Sequence, residues 1–427
     1  MSNRTRHIVS RRTALASFAL AAACGSVVRQ AGADPVTTET VVGPIFSPSG
    51  PNAELYGAAD GYPVPDPTLA RLQGNPYEPK YRVGAFSHFD QLFPTRRIER
   101  ASTPWAFKYE RADIRYSLTN YLSRNPVTGL LIAKDDRILF EAYQYGRTDR
   151  DRLISQSMAK SIMGILIGIA ISEGAIKSVD DAAHTYVPGF EGTEYGKTPI
   201  RDLLHMSSGV DFGEERNGSR DLDRLWRDMV LGSGPTKGTI ESLVQFNRRV
   251  APPGTKFYYA SIGPDVLGIV LRNAVNRSAA DYLHEKVWEL IGAEADATWL
   301  IDAQGFEVAH GFFSAVLRDY ARHGRMLAHD GAWEGKQTIP SQWMIDATTV
   351  RPLDPFLAPG KAMPDFGYGY LMWLLPGARR QFALVGDNGQ RICVDPGSKL
   401  VMVQTALESS NESWRLWSAL VRQFAQG

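Results

Sequence analysis

"SQSMAKSIMGILIGIAISEG", residues 155–174, sets Ser157 and Lys160 three positions apart at the mouth of the chain's most apolar run. From Ser161 to Ser172 the run is about a dozen residues, short of the ~20 that cross a bilayer. Lys160 and Glu173 bracket it. A buried helix is therefore predicted, with Gly164 and Gly168 letting neighbours approach closely. On a helix, positions i and i+3 share a face, so Ser157 and Lys160 can touch. A serine hydroxyl is a poor nucleophile until a base takes its proton. Apolar surroundings and the positive end of the helix dipole both favour the neutral amine, which can be that base. The N–H groups of a helix start also suit an oxyanion. Ser-x-x-Lys is a loose pattern and a plain core helix is the bland alternative; this is its single occurrence in the chain.

Outward from the helix, "TGLLIAK" and "RILFEAYQYG" read as a hairpin turning at Asp135-Asp136, and "IRYSLTNYLSR" as a helix ending before Pro126. Three strand candidates lie near the other end: "YGYLMWLL", "GQRICVDP" and "KLVMVQTAL", the last two joined at Asp395-Pro396-Gly397. A helix, "ESWRLWSALVRQF", closes the chain. Between them "ESLVQFNRRV", "AADYLHEKVWELIG" and "AVLRDYARHGRML" carry helical apolar spacing. The fold class predicted is α/β of the α+β type: an antiparallel sheet built from N- and C-terminal segments, flanked by helices, with an inserted all-helical domain. The divisions expected are an export signal at 1–33, a Pro/Gly-rich lead-in at 34–112, an α/β domain at 113–195 and 300–427, and a helical domain at 196–299.

At 427 residues, 44% hydrophobic and 22% charged, the composition is that of an ordinary globular protein. A formal charge of +1 gives no reason to expect a nucleic-acid partner. In "SRRTALASFALAAAC", Arg11 and Arg12 precede an apolar stretch, and Ala31-Gly32-Ala33 offers a cleavage site, the layout of a twin-arginine export signal. A lipoprotein ending at Cys24 is the lesser alternative. Export to the periplasm or medium, with no stable membrane insertion afterwards, would remove five arginines and leave a net charge of −4. Cys393 would then be the one cysteine left, so no disulfide framework is possible.

Three further stretches follow "SMAK" in order: "PIRDLLHMSSGVDF" (199–212), "PPGTKFYYASIGPDVLGIV" (252–270) and "GDNGQRICVDP" (386–396). This succession resembles the penicillin-recognising serine hydrolases, that is class C-type β-lactamases, D,D-peptidases and their esterase and amidase relatives. "SQSMAKSIMG", "YAS" and "NGQ" look most like the 6-aminohexanoate-dimer hydrolases and related esterases. The resemblance implies a β-lactamase/transpeptidase-like fold, with Ser157 as acylated nucleophile, Lys160 as its base and Tyr259 as proton shuttle. A phenol beside an ammonium is expected to have a lowered pKa and to donate or accept. By the same resemblance the backbone N–H groups of Ser157 and Asp387 form the oxyanion hole, and Ser261, His310 and Asn388 contact substrate. Ser261 departs from the asparagine common in relatives. "GDNGQ" stands where Lys-Thr-Gly is usual, which removes a cation for a β-lactam or peptide carboxylate and points to an ester or simple amide.

His205 in "LLHMSSG" has a structural place after a helix. Trp226 or Trp373 can line an apolar pocket, although tryptophans are more often core. No Gly-x-Ser-x-Gly elbow occurs, and the eight histidines show no His-Glu-x-x-His or Cys/His cluster, so no metal or cofactor is expected. The activity expected is hydrolysis of a small ester or linear amide through an acyl-enzyme. The alternatives are a D,D-peptidase or weak β-lactamase, and a non-catalytic sensor on the same fold. Oligomeric state is not legible.

Overall fold

The computed structural model describes residues 39–40, 43–73, 75–110, 112–214, 221–236 and 238–425, so the signal read over residues 1–33 lies outside them. Its centre is a nine-stranded sheet. Strand Val127–Lys134 pairs antiparallel with Arg137–Tyr143 on one side and with Leu400–Ala406 on the other. From Leu400–Ala406 the order continues through Gln390–Asp395, Phe382–Gly386, Trp373–Leu374 and Gly367–Tyr368. Chain segments far apart in sequence thus share one sheet, with Val403 opposite Leu131.

These strands read as unbroken apolar runs because both faces are covered. Val401 and Val403 face a core shared with helices Met158–Ser172 and Leu317–Ala328. Leu400 and Met402 face a second core with helices Leu118–Arg124 and Glu412–Phe424. Met158 to Ala170 are all buried, which is why that helix is apolar all round. At Gly168 a Cβ would lie 2.3 Å from the Trp343 indole nitrogen, and at Gly164 one would lie 3.1 Å from the Tyr370 carbonyl. The two glycines are the contact faces of the helix.

Four features depart from the sequence reading. "YGYLMWLL" is two short strands, not one, folded on each other through Leu371, whose φ is 55°. Phe382–Gly386 is a further strand. The edge strands Ile45–Phe46 and Lys108–Tyr109 pair parallel with Arg137–Tyr143, because the lead-in lies along the sheet edge and does not turn back as a hairpin. The lead-in also forms helices, Pro67–Gln73, Pro79–Ser87 and Phe89–Leu92, two of them begun by a proline at the first helical position.

A second sheet, also not foreseen, positions the site. Its order is Thr95–Ile98, Ala297–Leu300, Phe313–Ala315 and Leu153–Ile154. Ser314 lies opposite Ile154, so the residues just before Ser157 and just after His310 are held side by side.

One buried group supports a stability prediction. His323 is 1% exposed, in helix Leu317–Ala328, and neither ring nitrogen has a partner among the described residues. Burial holds its pKa down at about 4. The unfolded chain binds a proton near pH 6.5 and the folded chain does not, so stability falls as pH drops from there towards 4. Half-buried Asp202 and buried Asp319, pushed up to about 6, act in the opposite sense over part of that range. Comparing His323→Leu with wild type isolates the histidine. The variant is expected to gain about 2 kcal/mol relative to wild type between pH 7 and pH 5, read by denaturant unfolding. An equal pH slope in the two proteins would refute the buried neutral imidazole.

Candidate active site

Ser157 caps the helix Met158–Ser172, preceded by Gln156 at a φ of 47°. A left-handed non-glycine residue there is strained, and the surrounding pairings over-determine it. Ser155 N–H donates to Phe313 O at 2.7 Å, and Phe313 N–H donates to Ser155 Oγ at 3.1 Å. The first turn then closes, with N–H groups of Met158, Ala159 and Lys160 donating to carbonyls of Ser155, Gln156 and Ser157. The Ser157 amide lies against Gly386, whose added Cβ would sit 3.0 Å from the Ser157 nitrogen. Ser157 itself stays partly exposed.

Lys160 is 2% exposed. Its Nζ is 2.9 Å from Ser157 Oγ and donates to the His310 carbonyl oxygen at 2.6 Å. It also lies 5.0 Å from the centre of the Tyr259 ring. Burial pulls the lysine pKa below its ordinary range, against the opposite pull of the Glu214, Asp387 and Asp265 carboxylates. A lysine that loses its proton more readily than in water, one helical turn from a hydroxyl, can act as that hydroxyl's base.

Tyr259 lies against the same amine, its ring centre 5.0 Å from the Lys160 Nζ that reaches Ser157 Oγ, so the serine, lysine and tyrosine meet at one place. Its pKa differs from the expectation. Burial first, then the Glu214 and Asp387 carboxylates, push it well above the usual phenol range, and the nearby Ser157 hydroxyl only partly offsets them. The sequence reading counted the ammonium and missed the carboxylates. Tyr259 is therefore held as the neutral phenol.

The residues read as substrate contacts have protein partners. Ser261 spends its amide and hydroxyl on Glu214, at 2.8 Å and 2.5 Å. The His310 ring donates from Nδ1 to Asp265 at 2.7 Å, and its backbone carbonyl is the part that reaches Lys160. Asn388, left-handed at φ 61°, donates Nδ2 to Leu407 O at 3.2 Å. Asp387 begins the tip of the hairpin that follows Gly386 and is exposed. His205 follows helix Ile200–Leu204, buried with its ring 4.8 Å from that of Tyr370, and burial lowers its pKa.

Glu214 is the residue the sequence reading missed. It is the first of two adjacent acids in "GEERNGS", and only its contact with Ser261 in space singles it out. Aromatic rings flank the centre on two sides. Trp373 stacks on Tyr259 at 5.7 Å, with Phe257 and Tyr368 against it. On the other side Trp226 packs on Phe312 at 5.0 Å, two residues beyond His310. No His, Cys, Asp and Glu group among the described residues could hold a metal ion.

Fold and motif order together define a class, and the beta-lactamase family profile matches residues 122–425. The chain belongs to the beta-lactamase family and is a hydrolase of that fold. Within that class it is similar to the 6-aminohexanoate-dimer hydrolase of Paenarthrobacter ureafaciens, at 27% identity over 367 residues, covering 82% of this chain and 90% of that protein. A Bacillus anthracis structure assigned as a 6-aminohexanoate-dimer hydrolase superposes with a TM-score of 0.73 at 21% identity, covering 85% of this chain and 98% of the other. A penicillin-binding protein from Bacillus halodurans follows the same fold, with a TM-score of 0.54 at 18% identity over 70% of this chain and 97% of its own.

Proposed function

We propose that this chain is a serine hydrolase that cleaves a carboxylic ester or linear amide through an acyl-enzyme. The observation that carries the reading is the 2.9 Å separation of Lys160 Nζ and Ser157 Oγ beneath a partly exposed serine. Ser157 Oγ attacks the substrate carbonyl carbon while Lys160 Nζ takes its proton. The carbonyl oxygen gains the negative charge, which the backbone N–H groups of Ser157 and Asp387 stabilise. The C–O or C–N bond then breaks, and the Tyr259 phenol protonates the leaving group. Tyr259 regains a proton from Lys160, and water repeats the sequence on the acyl-enzyme.

Charge supports the substrate class. The site lacks the Lys-Thr-Gly cation and carries Glu214 and Asp387 near Lys160. An anionic β-lactam or a peptide carboxylate meets repulsion there, whereas a neutral ester or amide does not. Similarity to a 6-aminohexanoate-dimer hydrolase supports an amide substrate independently of that charge argument. The aromatic walls around Trp373 and Trp226 favour apolar acyl and leaving groups.

The test is a parallel assay of p-nitrophenyl butyrate, short linear amides and nitrocefin, with mass mapping of a fluorophosphonate adduct. An adduct on Ser157 and multiple turnovers of ester or amide above nitrocefin are expected. Nitrocefin as the faster substrate would favour a β-lactamase. A single Ser157 adduct with no turnover of any substrate would make the chain a sensor.

A further inference from the structure

We propose that Asp265, which no sequence motif singled out, is the positioning residue of the Lys160 base; this rests on the serine–lysine reading above. Asp265 lies in the helix Ile262–Val275, which starts just after Tyr259, and is 3% exposed. Its carboxylate accepts twice from one residue. His310 N–H donates to Oδ1 at 3.1 Å, and His310 Nδ1–H donates to Oδ2 at 2.7 Å. The chelated residue then presents its own carbonyl oxygen to Lys160 Nζ at 2.6 Å.

The loop being held is otherwise difficult to hold. Phe312, two residues on, has a φ of 64°, a left-handed conformation that a bulky residue adopts at a cost. Trp299 Nε1 pins the loop by donating to Val308 O at 2.9 Å and Gly311 O at 3.1 Å. Phe89 and Trp226 pack on the Phe312 ring at 5.3 Å and 5.0 Å. The peptide that carries the His310 carbonyl is held on its far side by Gly311 N–H donating to Val308 O at 3.3 Å, and the two bonds to Asp265 fix the His310 amide and ring on the near side. Asp265 thereby ties the helix that follows Tyr259 to the loop that aims the lysine, so the proton donor and the base keep one register. A freely rotating Nζ would spend much of its time away from Ser157 Oγ, and misplacement on the ångström scale costs about a hundredfold in rate.

The same carboxylate has an electrostatic effect. Lys160 feels Asp265, Glu214 and Asp387 as the acids that hold its proton on, with the Tyr259 ring beside it. Asp265 in turn faces His310 and the charge of Asp302. Removing the charge at Asp265 therefore moves the acid limb of reactivity to lower pH, while loss of the chelate lowers the rate at the plateau. A residue that only held the fold together would do neither once the unfolded fraction is subtracted.

The experiment follows the labelling rate of Ser157 by a fluorophosphonate against pH in the full chain, normalised to the folded fraction from circular dichroism. Asp265→Asn keeps the shape and one acceptor. It is expected to label about 10- to 100-fold more slowly at the plateau, with its acid limb at lower pH. His310→Ala keeps the backbone carbonyl and one bond to Asp265, and is expected to lose less. Wild-type rate and profile in Asp265→Asn, or a loss equal at every pH, would overturn the proposal. Lys160→Met separates the two levels. If it labels normally, the lysine is not the base; if it fails to label while Asp265→Asn is normal, only the positioning role falls.

Discussion

Ser157→Ala lowers ester turnover by about 10⁴-fold or more, Lys160→Met does so to a similar degree, and the double variant is no worse than the poorer single one. The expectation of shared loss follows from geometry. With Nζ 2.9 Å from Oγ, the proton the lysine handles and passes on to Tyr259 is the serine's own, so removing either partner removes the same step. Neither change should harm the fold. Ser157 makes no side-chain capping bond, which leaves Ala within about 0.5 kcal/mol of wild type. Methionine at 160 replaces a buried amine with an apolar chain of similar length, so thermal stability stays level or rises. In the wild type, turnover rises with pH through the depressed Lys160 pKa, since the neutral amine is the active form. Tyr259, pushed upward, remains a phenol over that range. Losses that multiply in the double variant would show two independent roles and end the base assignment.

How far the sequence reached follows from the length scale of each signal. The helix at 158–172, the hairpin at 127–143 and the strand at 400–406 were legible because each sustains an apolar pattern through at least seven residues. Leu153–Ile154 and Phe313–Ala315, two and three residues long, carry no period, although they place Ser155 against Phe313 and so build the site. The lead-in helices were hidden by Pro67 and Pro79, which punctuate a chain but also open helices. Among the site residues, Ser157, Lys160 and Tyr259 could be named from local motifs and the order in which they occur. Glu214 and Asp265 could not, because their significance lies in partners 47 and 45 residues away, Ser261 and His310. One signal for Asp265 was available: an acid inside the apolar run "IGPDVLGIV" is costly to bury unless something binds it.

Gly386→Ala should cost about 10²- to 10³-fold in kcat/KM, the largest effect of any change that removes no proposed reacting group. The glycine's φ of −127° is ordinary, so the requirement is space and not backbone freedom. A Cβ at 386 would stand 2.3 Å from Ser155 O, 2.9 Å from Gln156 Cβ and 3.0 Å from Ser157 N. Two of those three atoms are backbone, in a segment already committed to Phe313 and to a left-handed Gln156, so they cannot give way without moving the nucleophile. The strand must instead withdraw, carrying Asp387 N–H away from the Ser157 amide and widening the gap in which the oxyanion is held. Overpacking of this kind also costs about 1–3 kcal/mol of stability. Gly43→Ala, at a glycine with nothing within 4 Å, is the control and should match wild type in both measures. The decisive comparison is the ratio of effects. A Gly386→Ala enzyme that loses stability but keeps its kcat/KM would show that the sheet edge serves packing alone, and the second oxyanion donor would have to be sought elsewhere.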